Sequence, residues 1–93
     1  MNRVQLIMQR NGCSETQAKV IAGDLEKLNP ALKPLLQRWE ETGAEDDATL
    51  YEGYSIDSLK AGYGLKFTGA LLTLDWLLRD PETARRAISQ GVR

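Results

Sequence analysis

The sequence predicts an all-α domain, a compact bundle of five or six short helices with a central helix near residues 66–79. Apolar residues recur at i, i+3 and i+4 along most of the chain, the spacing of one helix face, and no stretch alternates as a strand would. Gly, Asn-Pro and Asp-Pro punctuation cuts these runs into short segments. Several segments open on residues that cap helices, Ser14, Ser55 and Asp80 among them.

Val4, Ile7 and Met8 predict a first amphipathic helix, which Asn11-Gly12 ends because glycine suits the left-handed C-terminal position. Ser14-Glu15-Thr16-Gln17 has capping-box form. Ala18, Ile21, Ala22, Leu25 and Leu28 continue one face behind it, with Gly23 weakening the helix by about 1 kcal/mol relative to alanine. Asn29-Pro30 is a stop and restart. Leu32, Leu35, Leu36 and Trp39 then share a face, although Pro34 leaves the start of that helix open, since its missing N–H is harmless only in a first turn. Thr42-Gly43 closes it. Residues 44–54 are acidic and read as a loop, with one helical turn at 47–52 as the alternative.

Ser55-Ile56-Asp57-Ser58-Leu59 opens a short helix that should end near Gly62, and Tyr63-Gly64-Leu65 forms a turn. The stretch 66–79 is the clearest helix. Asp80-Pro81-Glu82 places an N-cap, a first-position proline and a first-turn acid ahead of the last helix. There Ala84, Ala87 and Ile88 give a small-residue face. Residues 91–93 are expected to fray.

Composition narrows the function classes. Ninety-three residues make one domain, 1–93. The longest apolar run is far short of the roughly 20 residues of a membrane span, and the first residues carry no secretion-signal pattern. The single Cys13 excludes an internal disulfide and fits a reducing, cytoplasmic setting. Just ahead of a helix start, it reads as a structural thiol rather than a nucleophile, with no second cysteine to resolve it. The absence of histidine removes His-based triads, His general bases and the usual zinc sites. Asp46, Asp47 and Glu52 carry oxygens suited to a hard cation, but their spacing does not match an EF-hand loop. Glu40 and Glu41 are neighbours that diverge by about 100° on a helix, so they are no catalytic pair. No cofactor, metal or catalytic residue is expected.

Net charge is −1, unevenly spread. Residues 1–39 carry six bases and three acids, 40–59 seven acids and no base, and 60–93 six bases and three acids. The acidic middle is a solvated loop or an electrostatic contact surface.

On the 66–79 helix, Phe67, Ala70, Leu71, Leu74, Leu77 and Leu78 form a broad stripe, with Leu72 and Trp76 roughly opposite. A helix apolar all round is usually buried on both sides. The alternative is that Leu72 and Trp76 anchor a partner, since tryptophan is enriched at binding hot spots. Tyr51 and Tyr54 in the acidic stretch are further candidate partner contacts, or simply pack their loop onto the domain.

The pattern Ile56, Leu59, Tyr63-Gly64-Leu65, Ala70, Leu74, Leu77 resembles the spacing in winged-helix and related helix-turn-helix regulators, over residues 55–77. That resemblance implies DNA binding through the second helix. The outward positions would be Thr68, Gly69, Leu72, Thr73, Asp75 and Trp76, none of them basic, and no wing follows Arg79. Phosphate contacts would have to come from Lys60, Lys66, Arg79, Arg85 and Arg86, with Lys19, Lys27 and Arg38 from the N-terminal half. The first 25 residues also resemble a ubiquitin-associated-like fold through Met8, Gly12, Ala18 and Ile21, which implies docking of a small protein surface. Cys13 stands where that family's aromatic follows its glycine.

The expected function is a small non-enzymatic protein-interaction or regulatory module. Its partner would be another protein or a second copy of itself, as a homodimer, and it would not bind a membrane. The alternative is a helix-turn-helix DNA-binding regulator, with DNA the less expected partner.

Overall fold

Capping chemistry sets most of the helix boundaries among the described residues, Asn2–Gly91 of a computed structural model. They form six α-helices and one 3-10 turn, with no strand beyond a single bridge. The architecture is all-α, as predicted. Of the tail expected to fray, residues 92 and 93 lie outside the described residues. The chain is organised as two compact units that meet at Gly43/Ala44 in sequence.

In the first unit, α1 (Arg3–Asn11) opens on a capping box. The Asn2 side chain accepts from the Gln5 N–H at 2.9 Å, and Gln5 returns the bond at 3.1 Å. α2 (Glu15–Glu26) opens on the predicted Ser14–Gln17 box and runs unbroken through Gly23. Asn29 then caps a 3-10 turn, Pro30–Leu32, which leads directly into α3 (Lys33–Thr42). Pro34 falls in the first turn of α3, where its missing N–H costs nothing, and this settles the start that the sequence left open. Ile7, Ala18, Leu25, Leu32, Leu36 and Trp39 are buried.

Two arginines tie α1 to α3. Arg3 grips Glu40 through two nitrogens, Nε to Oε2 at 2.9 Å and Nη2 to Oε1 at 3.2 Å. This hydrogen bonding to Glu40 is the main reason the Arg3 pKa is raised. Arg10 lies over the Trp39 ring, 4.8 Å from its centroid, and donates to the Trp39 carbonyl near the end of α3. A cation is well placed there, because a helix C-terminus is its negative pole.

The second unit begins with the acidic stretch, which is not a helical turn. Tyr51 and Tyr54 exchange both backbone hydrogen bonds, at 2.7 and 3.0 Å, across Glu52-Gly53. Both central residues have positive φ, 52° and 88°. That is the pattern of a tight hairpin turn and is incompatible with a right-handed helix, so the alternative of a turn at 47–52 does not form. Ser55 caps α4 (Ile56–Tyr63), with Ser58 completing the box. α4 extends past Gly62, and Gly64 instead takes the left-handed closing position, at φ 66°. α5 (Phe67–Arg79) packs against α4 and against α6 (Pro81–Ser89), with Asp80 capping α6 and Pro81 at its first position as predicted. α5 is the longest helix described, and eight of its residues are buried.

Candidate interaction face on α5

α5 has almost no polar surface to give to water. Phe67, Ala70, Leu71, Leu74 and Leu77 are buried, and so are Thr68, Thr73 and Asp75. The buried polar groups are answered within the chain. The Thr73 hydroxyl donates to the Gly69 carbonyl at 2.8 Å, and Asp75 accepts from the Arg79 guanidinium one turn on. What remains at least partly exposed is Gly69, Leu72 and Trp76, followed by Arg79, on one side, and Leu78, half-buried, on the opposite one. At 100° per residue the first four span a sector only about 80° wide, and Leu65, just before the helix, projects into the same sector. A surface sector of a helix is usually polar; this one carries a glycine, a half-buried leucine and a tryptophan 36% exposed.

Gly69 adds a second anomaly. A glycine inside a helix costs about 0.5–1 kcal/mol relative to alanine. A Cβ built at Gly69 would meet only the Leu65 side chain, at 3.8 Å, an ordinary contact. Packing within the protein does not require a glycine there.

Leu72 and Trp76 therefore share one face, one turn apart, as the sequence placed them. Three of the six positions expected outward, Thr68, Thr73 and Asp75, are instead buried. The reason is that α5 packs against both α4 and α6, which leaves little of its surface open. Gly69 and Arg79 joined Leu72 and Trp76 in that strip without being singled out as a group, although the same 100° projection brings them together.

Tyr51 and Tyr54 are half-buried and face each other across the hairpin turn. Burial, and then the nearby charge of Asp47, raises the Tyr51 pKa above its usual value. Their loop is pinned in place. Asp57 accepts from the Asp47 N–H at 2.9 Å, and its own N–H donates to the Asp47 carbonyl at 3.1 Å. Glu45 pairs with Lys60 at 3.2 Å, and Glu52 with Arg85 at 2.7 Å. Among the described residues, Leu50, 68% exposed beside Tyr51, and Val20 on α2, 63% exposed, are the other exposed large apolar residues.

The cations considered for phosphate contact are mostly engaged. Lys60, Arg79, Arg85 and Arg86 each pair with an acid, Glu45, Asp75, Glu52 and Glu82 respectively, and Lys19 pairs with Glu15 at 3.1 Å. Lys66 stands at the N-cap of α5. The α4–α5 pair does form a helix, a short turn holding Gly64, and a longer helix, but α6 follows where a wing would stand. The second helix shows solvent the narrow strip above rather than a polar reading edge.

Elsewhere, an open cleft of about 400 Å³ in the first unit is lined by Arg3, Glu26, Lys33, Gln37 and Glu40 around Leu25 and Leu36, acids and bases in balance. Cys13 is half-buried, its Sγ 3.9 Å from the Ile7 carbonyl. Among the described residues no three Cys, Asp or Glu side chains gather as a metal site would require, and no helix is long and apolar enough to cross a membrane. No protein-family description matches this chain, and neither a curated protein nor a solved structure does.

Proposed function

We propose that this chain is a small non-enzymatic protein-interaction module that docks its partner on the outward sector of α5, in a cytoplasmic setting. One observation carries the reading: an outward strip of the most buried helix holds Gly69, Leu72 and the exposed Trp76. Burying a partly exposed tryptophan and leucine against another protein removes apolar surface from water, at roughly 25 cal/mol per Å². Tyr51 and Tyr54 sit in a pinned loop of the same unit and offer a secondary contact. The helix-turn-helix alternative has the α4–turn–α5 connection in its favour, and the paired state of its cations against it.

Trp76→Ala tests this directly. Association, followed by sedimentation over a concentration series with and without extract from native cells, should weaken strongly. The helical circular dichroism should persist, with the thermal midpoint lowered by no more than a few degrees. Global unfolding by Trp76→Ala with association of the remaining folded chain unchanged would instead assign Trp76 to the core.

A further inference from the structure

We propose that residues 44–54 form a flap that opens while the rest of its unit stays folded, with the Glu52–Arg85 contact as a clasp that salt loosens. This is independent of the docking role given above to α5.

The core does not hold the flap. Every residue from 44 to 54 is exposed or only half-buried, and Leu50, its one large aliphatic side chain, is 68% exposed. Segments with so few buried apolar groups are the ones that open locally. Nor do the neighbouring helices depend on the flap for their ends. The α4 capping box is built from Ser55 and Ser58. The helix before the flap closes through the Gly43 N–H, which donates to the Trp39 carbonyl at 2.9 Å. Both ends stay satisfied when the segment between them moves.

The contacts that close the flap are polar. Asp47 meets Asp57, and Glu45 meets Lys60. Arg85 Nη2 reaches Glu52 twice, its carboxylate at 2.7 Å and its carbonyl at 3.2 Å. The Arg85 and Glu52 side chains are 51% and 39% exposed, and an ion pair so open to water favours its closed geometry by about fivefold at most. Against it stands the backbone of Glu52, at φ 52°. That left-handed conformation disfavours a residue with a side chain by roughly five- to thirtyfold in population. Clasp and strain are comparable and opposed, so loss of the clasp shifts the flap toward its open state. Closed, the flap keeps Tyr51 and Tyr54 half-buried; open, it gives both to solvent.

Amide hydrogen exchange on the full chain, read by NMR, tests this. The reporters are the Tyr51 and Tyr54 N–H groups, which donate across the turn at 2.7 and 3.0 Å. Near 50 mM salt they should be protected, yet at least about tenfold less than the slowest α5 amides. Raising salt to about 1 M, where the Debye length falls to about 3 Å, should speed them by about two- to fivefold and leave the α5 amides unchanged. Arg85→Gln should speed them by a similar factor at low salt and remove most of the salt response. Adding Glu52→Asn to Arg85→Gln should then slow them at least about threefold, because asparagine tolerates the left-handed conformation and no ion pair is left to lose. Reporters unprotected at low salt would mean that no closed flap exists. Reporters as slow as α5 would mean that the segment opens only when the whole unit unfolds. Either result would overturn the proposal, as would exchange indifferent to salt or to Arg85→Gln, or a second substitution that leaves the rate unchanged.

Discussion

Trp39 and Trp76 each follow a leucine by four positions and lie in the second half of a helix, yet their surroundings differ. Trp39 continues the face of Leu32 and Leu36, is fully buried and carries the Arg10 guanidinium over its ring. Trp76 lies off the apolar stripe of α5 and stays 36% exposed. The burial of Trp39 follows from its spacing in the sequence; the exposure of Trp76 depends on how many sides of α5 are packed, which spacing alone leaves open. Tyr51 gives a prediction at the same scale. Its pKa is raised above the ordinary 10.0, first by burial and then by Asp47. The folded chain thus holds the phenolic proton more tightly than the unfolded one. The resulting stabilisation is complete below the unfolded value and is lost as pH rises through the folded one. In an alkaline absorbance titration, Tyr51→Phe should remove a phenolate component titrating above pH 10.0 and flatten the fall in stability there. Loss of a component at or below the ordinary value would contradict the burial argument.

At the scale of elements, the predicted caps at Ser14, Ser55 and Asp80 are all in place, because a cap is local chemistry within four residues. Less legible was anything set by φ. Tyr51-Glu52-Gly53-Tyr54 is a hairpin turn in which a glutamate adopts a left-handed conformation, a geometry for which Glu is an unusual choice and which the sequence does not advertise. The sequence places the end of α4 near Gly62 and Gly64 in the turn beyond it. The chain uses Gly64, whose N–H reaches the Lys60 carbonyl at 3.1 Å. Alanine in a left-handed position is strained by roughly 1–2 kcal/mol. Gly64→Ala should therefore lower the thermal midpoint by at least about 4 °C, while Gly62→Ala, at a helical and open position, should raise it. Calorimetry of the two variants compares them directly, and the reverse order would place the helix end at Gly62.

Over the whole molecule, the uneven charge of the sequence becomes a set of local pairings. Within the first unit Glu40 answers Arg3, and within the second Glu45 answers Lys60 and Glu52 answers Arg85. The excess of acid between residues 40 and 59 was plain from the sequence; its partners were not, since they lie 15 to 37 positions away. With its cations so engaged, the protein should show no affinity for mixed-sequence duplex DNA by fluorescence anisotropy even near 50 mM salt, where phosphate contacts are strongest. Binding that declines log-linearly with added salt would promote the helix-turn-helix reading.

The most direct test of α5 as a docking surface is site-specific photo-crosslinking in native cells. A benzophenone-bearing amino acid at position 66, on the rim of the strip, is compared with one at position 20, another exposed site, on α2. The docking role predicts a discrete crosslinked protein species from position 66 that Trp76→Ala eliminates, and no such species from position 20. The same products from both positions, or products at 66 indifferent to Trp76→Ala, would contradict it.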